Sequence, residues 1–132
     1  MSQENAEIVR RAIEGFNRRD LDAATRYSDP DIEVDWSRSR GVEAGIYRGQ
    51  EAARDFWNQF LDMFAQVTVT AEEFIELGDR VVVPCRARLC GRDGIEVQTR
   101  SAYVVTFRDR RIVAWKLYQE KAEALEAVGL SE

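Results

Sequence analysis

The chain has 132 residues, enough for one domain, spanning 1–132, that buries its own core without disulfide or metal staples. With 45% hydrophobic and 33% charged residues, its composition excludes a disordered or fibrous polypeptide. A net charge of −5, no basic stripe and no histidine argue against nucleic acid as a partner and remove Ser-His and Cys-His nucleophile pairs, the usual zinc sites and the commonest general base. No apolar run has the length of a membrane span, and the start, Met1 to Asn5, lacks the layout of a signal peptide. A cytoplasmic protein with no membrane partner is the expectation.

Ile8, Ala12, Ile13 and Phe16 recur at helical spacing, so residues from about Gln3 to Arg18 read as an amphipathic helix. Asp20 reads as the N-cap of a short helix, Leu21 to Tyr27, closed by Asp29-Pro30. Ile32, Val34 and Trp36 alternate with Asp31, Glu33 and Asp35, which predicts a strand. A Gly-containing loop, Ser37 to Arg48, follows. Between Gly49 and Phe64 the apolar residues Ala53, Phe56, Trp57, Phe60, Leu61 and Phe64 fall on one helical face, the strongest helix signal in the chain.

Four strand-like runs come next: Val67–Leu77, Arg80–Cys90, Ile95–Arg108 and Arg111–Gln119, joined by Gly- and Asp-containing turns. A short helix, Lys121 to Val128, ends at Gly129. Helices first and a strand meander after predict an α+β domain with a mainly antiparallel sheet. Within Arg80–Cys90, alternation puts Val81, Val83, Cys85, Ala87 and Leu89 on one face and Arg86 and Arg88 on the other. That second face is either wet, with the arginines paired to acids such as Glu96, or it lines a cavity and selects an anion. Cys85 and Cys90 point to opposite faces, so no disulfide between them is expected.

Several segments carry a family resemblance: Glu7 to Arg11, Phe16-Asn17-Arg18-Arg19-Asp20-Leu21-Asp22-Ala23, Asp29-Pro30-Asp31-Ile32-Glu33, Tyr47-Arg48-Gly49, Gly78-Asp79-Arg80-Val81-Val82-Val83 and Glu123 to Leu130. Through them essentially the full chain resembles the SnoaL-like group of the nuclear transport factor 2-like superfamily. The resemblance implies a cone, in which a strongly curved sheet wraps three N-terminal helices around a pocket, with a short C-terminal helix. It also implies a homodimer through the convex face, which Val81, Val83, Cys85, Ala87, Leu89, Ala102, Val104 and Tyr118 would supply as an apolar patch. The superfamily hosts isomerases, epoxide hydrolases, dehydratases, cyclases and proteins that only bind, so fold alone assigns no activity.

Position by position, the resemblance lays the ketosteroid isomerase roles on Ala12, Trp36 and Tyr103, where two of the three working groups are missing. The limonene epoxide hydrolase set becomes Arg86-x-Arg88 and Leu117, without its carboxylates, and the dehydratases lean on histidine. The same alignment turns Val82, Pro84, Arg86, Arg88, Thr99, Ser101, Tyr103, Trp115, Leu117 and Gln119 toward the cavity, closed by Trp36 and the Phe56, Trp57 and Phe60 face. Tyr103, as a hydrogen-bond donor, and Asp35, one residue from the missing aspartate, are the catalytic candidates. Arg86, Arg88, Trp36, Trp57, Phe60, Ser101, Trp115 and Gln119 are the ligand-binding candidates. The expected function is binding of an anionic or phenolic apolar metabolite, or an isomerase or cyclase passing through an enolate, with no metal and no cofactor.

Overall fold

A computed structural model of the chain describes residues 2–39 and 44–130. The part of the expected Ser37–Arg48 loop at 40–43 lies outside the described residues. Helix α1 (Ser2–Asn17) is followed by α2 (Leu21–Ala24), β1 (Ser28–Asp35), β2 (Ile46–Arg48) and α3 (Gln50–Asp62). Strands β3 (Phe64–Ala71), β4 (Ile75–Leu77), β5 (Arg80–Gly91), β6 (Glu96–Arg108) and β7 (Arg111–Tyr118) come next, then α4 (Lys121–Ala127). The seven-stranded sheet runs β2-β1-β7-β6-β5-β3, with β4 also on β5; only β1 and β7 pair in parallel. The fold is the expected α+β cone. Among the described residues no helix is long and apolar enough to cross a membrane.

Local chemistry sets the element ends. Asp20 accepts a hydrogen bond from Ala23 N at 3.1 Å and caps α2, as expected. That helix stops earlier than its sequence suggests, because the Thr25 hydroxyl turns back onto Leu21 O at 2.6 Å. The C-terminus of α3 is held by two arginines: Arg19 donates to Leu61 O and Phe64 O, and Arg92 donates twice to Asp62 O. Cations there satisfy carbonyls that no helical N–H can reach.

The run read as one strand over Val67–Leu77 is two strands, and Pro84 accounts for the break. Its carbonyl accepts from Glu72 N at 2.8 Å, so its backbone polar side faces the gap between β3 and β4. The missing proline N–H therefore removes no bond to β6. The free edge of β3 is closed by Asn17, whose carboxamide donates to Val69 O and accepts from Val69 N, both at 2.8 Å. The register shifts by one residue in the β3–β5 and β6–β7 pairs, as at a bulge, and by three between Ser28 and Glu33 in the β1–β7 pair; such interruptions let a sheet bend.

The main core lies on the concave side, where α1 and α3 meet Val81, Val83 and Cys85 of β5, Tyr103 and Val105 of β6 and Trp115 and Leu117 of β7. A second cluster on the convex side joins Val82, Ala102, Val104 and Tyr118 to Ala124 and Leu125 of α4. The expected convex apolar patch is therefore not exposed: its β5 members point inward, and Ala102, Val104 and Tyr118 lie under the chain's own last helix.

Two substitutions test this packing. A Cβ on Gly15 would sit 2.7 Å from Ala24 N and 3.0 Å from Ala23 C, both backbone atoms that cannot swing away. Gly15→Ala should destabilise the fold by about 1–3 kcal/mol, the usual cost of overpacking, read as a fall in urea midpoint. The β6–β7 turn places Asp109 at φ 52° and Arg110 at φ 65°, left-handed values that favour glycine. Arg110→Gly should raise stability by about 0.5–1 kcal/mol, since the exposed Arg110 pair with Glu4 contributes little.

Candidate functional site

Between helices and concave sheet lies a cavity in two connected parts. The outer chamber, about 190 Å³, is walled by Trp57 and Phe60 of α3, Val67 of β3, Ala87 and Leu89 of β5, and Thr99 and Ser101 of β6. The inner chamber, a narrow extension of about 40 Å³, is walled by Ala12 and Ile13 of α1, Ile32 and Val34 of β1, and Ile112 and Trp115 of β7. Phe16, Trp57, Val69 and Tyr103 belong to both. Four aromatic rings form a closed circuit there, with centroids 5.2 Å apart for Trp57–Trp36, 5.8 Å for Trp36–Tyr103, 5.2 Å for Tyr103–Trp115 and 6.4 Å for Trp115–Trp57. Phe56, expected to close the cavity, stands behind it and stacks on Tyr47 at 4.5 Å.

The register of β5 against β6 decides what faces this space. Val83 pairs with Tyr103, Cys85 with Ser101 and Ala87 with Thr99, and directly paired residues share a face. Tyr103 and Ser101 therefore meet Cys85, whose Sγ lies 3.4 Å from Ser101 Oγ. Burial, together with the charge of and hydrogen bond to Cys85, pushes the Tyr103 phenol well above its ordinary range. Burial likewise raises the Cys85 thiol, against smaller opposing hydrogen bonds from Ser101 and Tyr103. Both groups are thus neutral near pH 7, a phenol and a thiol rather than anions. At the mouth, Gln119 lines the outer chamber and donates to Arg38 O at 2.8 Å, tying down the turn after Trp36.

Of the candidates from sequence, Trp36, Trp57, Phe60, Ser101, Tyr103, Trp115 and Gln119 come together around the cavity. Arg86 and Arg88 do not. They share the outward face of β5, where Arg86 pairs with Glu72 at 3.2 Å and Arg88 with Glu96, their side chains 56% and 53% exposed. The expected inward face is reversed for Val82 and Pro84 as well. The reason is that only one face of β5 is apolar along its whole length, and two guanidiniums in a dry cavity would be costly to bury unpaired.

Asp35 is also turned away, because its neighbours Val34 and Trp36 take the inward positions. It accepts from Ser37 Oγ at 2.6 Å and Ser37 N at 3.0 Å, and lies 3.5 Å from Lys116 Nζ. Burial pushes its carboxyl up, but the Ser37 hydrogen bonds and the Lys116 cation outweigh it and leave the group below its ordinary range. A carboxylate so stabilised, on the wrong face, is a poor proton carrier. None of the described lining residues is acidic or basic, and no group of three or more Cys, Asp and Glu among the described residues is placed for a metal ion.

Cys85, the polar partner of Tyr103 and Ser101, shares the face of Val81 and Val83 as alternation predicts, but that face is concave where the resemblance implies convex. Phe16 belongs to the predicted apolar face of α1 and is a lining residue not counted among the sequence candidates.

A titration checks the setting of Tyr103. An unfolded phenol ionises near 10.0, whereas the buried one resists, so the unfolded state releases this proton first and stability falls as pH climbs past that value. Tyr103→Phe should flatten this alkaline loss and remove one late-titrating phenol from ultraviolet difference spectra.

The comparisons with known proteins agree with this fold. Among solved structures, an NTF2-like protein of unknown function from Burkholderia pseudomallei is 25% identical, covering 96% of this chain and 98% of that one, with a TM-score of 0.79. TerC, co-crystallised with polyporic acid, is 22% identical over 93% of this chain and 96% of its own, with a TM-score of 0.79. A Mycobacterium tuberculosis protein in complex with estradiol-17beta-hemisuccinate is 14% identical over 89% and 94%, with a TM-score of 0.77. No curated protein matches the sequence. The family comparison matches residues 9–115, and the chain belongs to the SnoaL-like domain family.

Proposed function

We propose that the protein binds a neutral, apolar, ring-shaped small molecule in the two-chambered cavity. The observation that carries this reading is the uncharged lining: aromatic rings from Phe16, Trp36, Trp57, Tyr103 and Trp115 offer stacking surface, and Ser101, Thr99 and Gln119 offer a few polar contacts. Two proteins of the same fold, crystallised with polyporic acid and with estradiol-17beta-hemisuccinate, support the ring-shaped ligand; both of those molecules carry acidic groups, so neutrality is argued from this chain's lining alone. The anionic preference expected from Arg86 and Arg88 is not part of the proposal, because both side chains lie outside the cavity.

A second reading, an isomerase or cyclase acting through an enolate, draws on Tyr103, a neutral donor in a dry setting. It lacks a base among the described lining residues, so we rank it second. A homodimer through the convex face would bring together exposed charged residues such as Arg86, Glu72, Arg88 and Glu96 rather than an apolar patch. Such a dimer should dissociate in high salt when its mass is measured in solution.

All three tryptophans of the chain line the cavity, so intrinsic fluorescence reports directly on occupancy. Naphthamide should quench it saturably and bind at least about tenfold more tightly than naphthoate, whose carboxylate would find no cation. Equal binding, or preference for the acid, would overturn the neutral-ligand reading. Deuterium exchange at the carbon beside the carbonyl of α-tetralone should run no faster with the protein than in buffer. Acceleration would instead favour the second reading.

A further inference from the structure

We propose that the inner chamber is a subsite for an uncharged hydrogen-bond acceptor, a ketone or ether oxygen at the leading end of the ligand, and that the Trp115 indole N–H is the donor that selects it. The inference deepens the small-molecule reading above and rests on it.

Trp115 is 8% exposed, lines the inner chamber, and its Nε1 is sealed from solvent with no hydrogen-bond partner. Buried polar groups almost always find a partner, and an indole N–H can only donate. Its chamber neighbours Ile13, Ile32, Val34 and Ile112 have no side-chain acceptor to offer, and the Ser28 hydroxyl, on the same lining, makes no hydrogen bond to it. Tyr103, 5.2 Å away between ring centroids, is engaged with Cys85. An acceptor atom carried past Trp57 and Tyr103 by an apolar ligand would, with a small shift of the Trp115 ring, reach a buried donor that lacks a partner. The benefit is a specificity rather than a bare affinity, because an acceptor gains a hydrogen bond to the buried N–H and an all-carbon ligand of equal shape leaves it unmatched.

The matched probes are α-tetralone, with one ketone oxygen, and tetralin, the same ring system without it. The parent should prefer tetralone by about tenfold, the effect expected of one satisfied buried donor. In Trp115→Phe, which removes the N–H and keeps an aromatic ring, the preference should shrink to about twofold or less. In parallel, the Trp115 Nε1–H proton resonance of the parent, assigned through the backbone, should move downfield with tetralone and not with tetralin. This second readout stands even if the variant fails to fold. Equal affinities in the parent, or a downfield shift at Trp36 or Trp57 instead, would overturn the inference while leaving the cavity a binding site. Failure of both probes to bind would remove the cavity reading and this inference with it.

Discussion

Strand β5 is paired along both edges, to β6 on one side and to β3 and β4 on the other, and must bury one face against the helices. Val81, Val83 and Cys85 are fully buried in the concave core, and Ala87 and Leu89 continue their line into the outer chamber. Turning the strand over would bring two guanidiniums inside and put five apolar side chains outside. Each buried Val or Leu side chain contributes about 1.5–3 kcal/mol, while an unpaired buried cation costs several, so no single ion pair in the interior could offset the exchange. Once β5 is fixed, the continuous β5–β6 register turns Ser101 and Tyr103 inward, and β7 follows with Trp115 and Leu117.

The chemistry of the cavity is a consequence of that orientation. Charges stay outside the cavity, on the convex face, the rims and the outer faces of the helices, where ion pairs such as Arg86–Glu72, Arg48–Glu33 and Arg54–Asp22 are largely exposed and screened. The interior keeps only groups that are neutral near pH 7: a phenol, a thiol, hydroxyls, an amide and indoles. Such a lining holds ligands by shape, stacking and a few hydrogen bonds, and it rejects ions through desolvation. Proton abstraction from a bound molecule would need a carboxylate there, and the nearest candidate on β1, Asp35, is spent on Ser37 and Lys116 outside.

Hydrophobic periodicity made α1, α3 and the long strands legible, and the Asp20 cap was readable as well. The break between β3 and β4 was not, because it depends on which edge of β5 Pro84 faces, a tertiary fact. The site was legible to a similar degree. Trp36, Tyr103, Trp115 and Gln119 lie on strands, or just beyond strands, whose inward face is set by simple alternation. For Arg86 and Arg88, alternation alone left a wet face and a cavity face open, and the family resemblance chose the cavity. That transfer failed because the apolar line from Val81 to Leu89 takes the face that the helices bury and leaves the arginines on the other. The convex patch failed for a linked reason: a one-residue change of face moved Val81, Val83 and Cys85 inside, and α4 covers what remains.

The central claim is that ligand recognition resides in the uncharged concave cavity and not in the arginine pair of β5. The most direct test compares naphthamide binding, by tryptophan fluorescence, in the parent, in the Arg86→Ala/Arg88→Ala double variant and in Thr99→Trp, which fills the outer chamber from β6. The account predicts binding within about twofold of the parent for the double variant, since exposed ion pairs contribute little, and loss of binding when the chamber is filled. A tenfold or greater loss in the arginine variant, with Thr99→Trp still binding as the parent does, would contradict it.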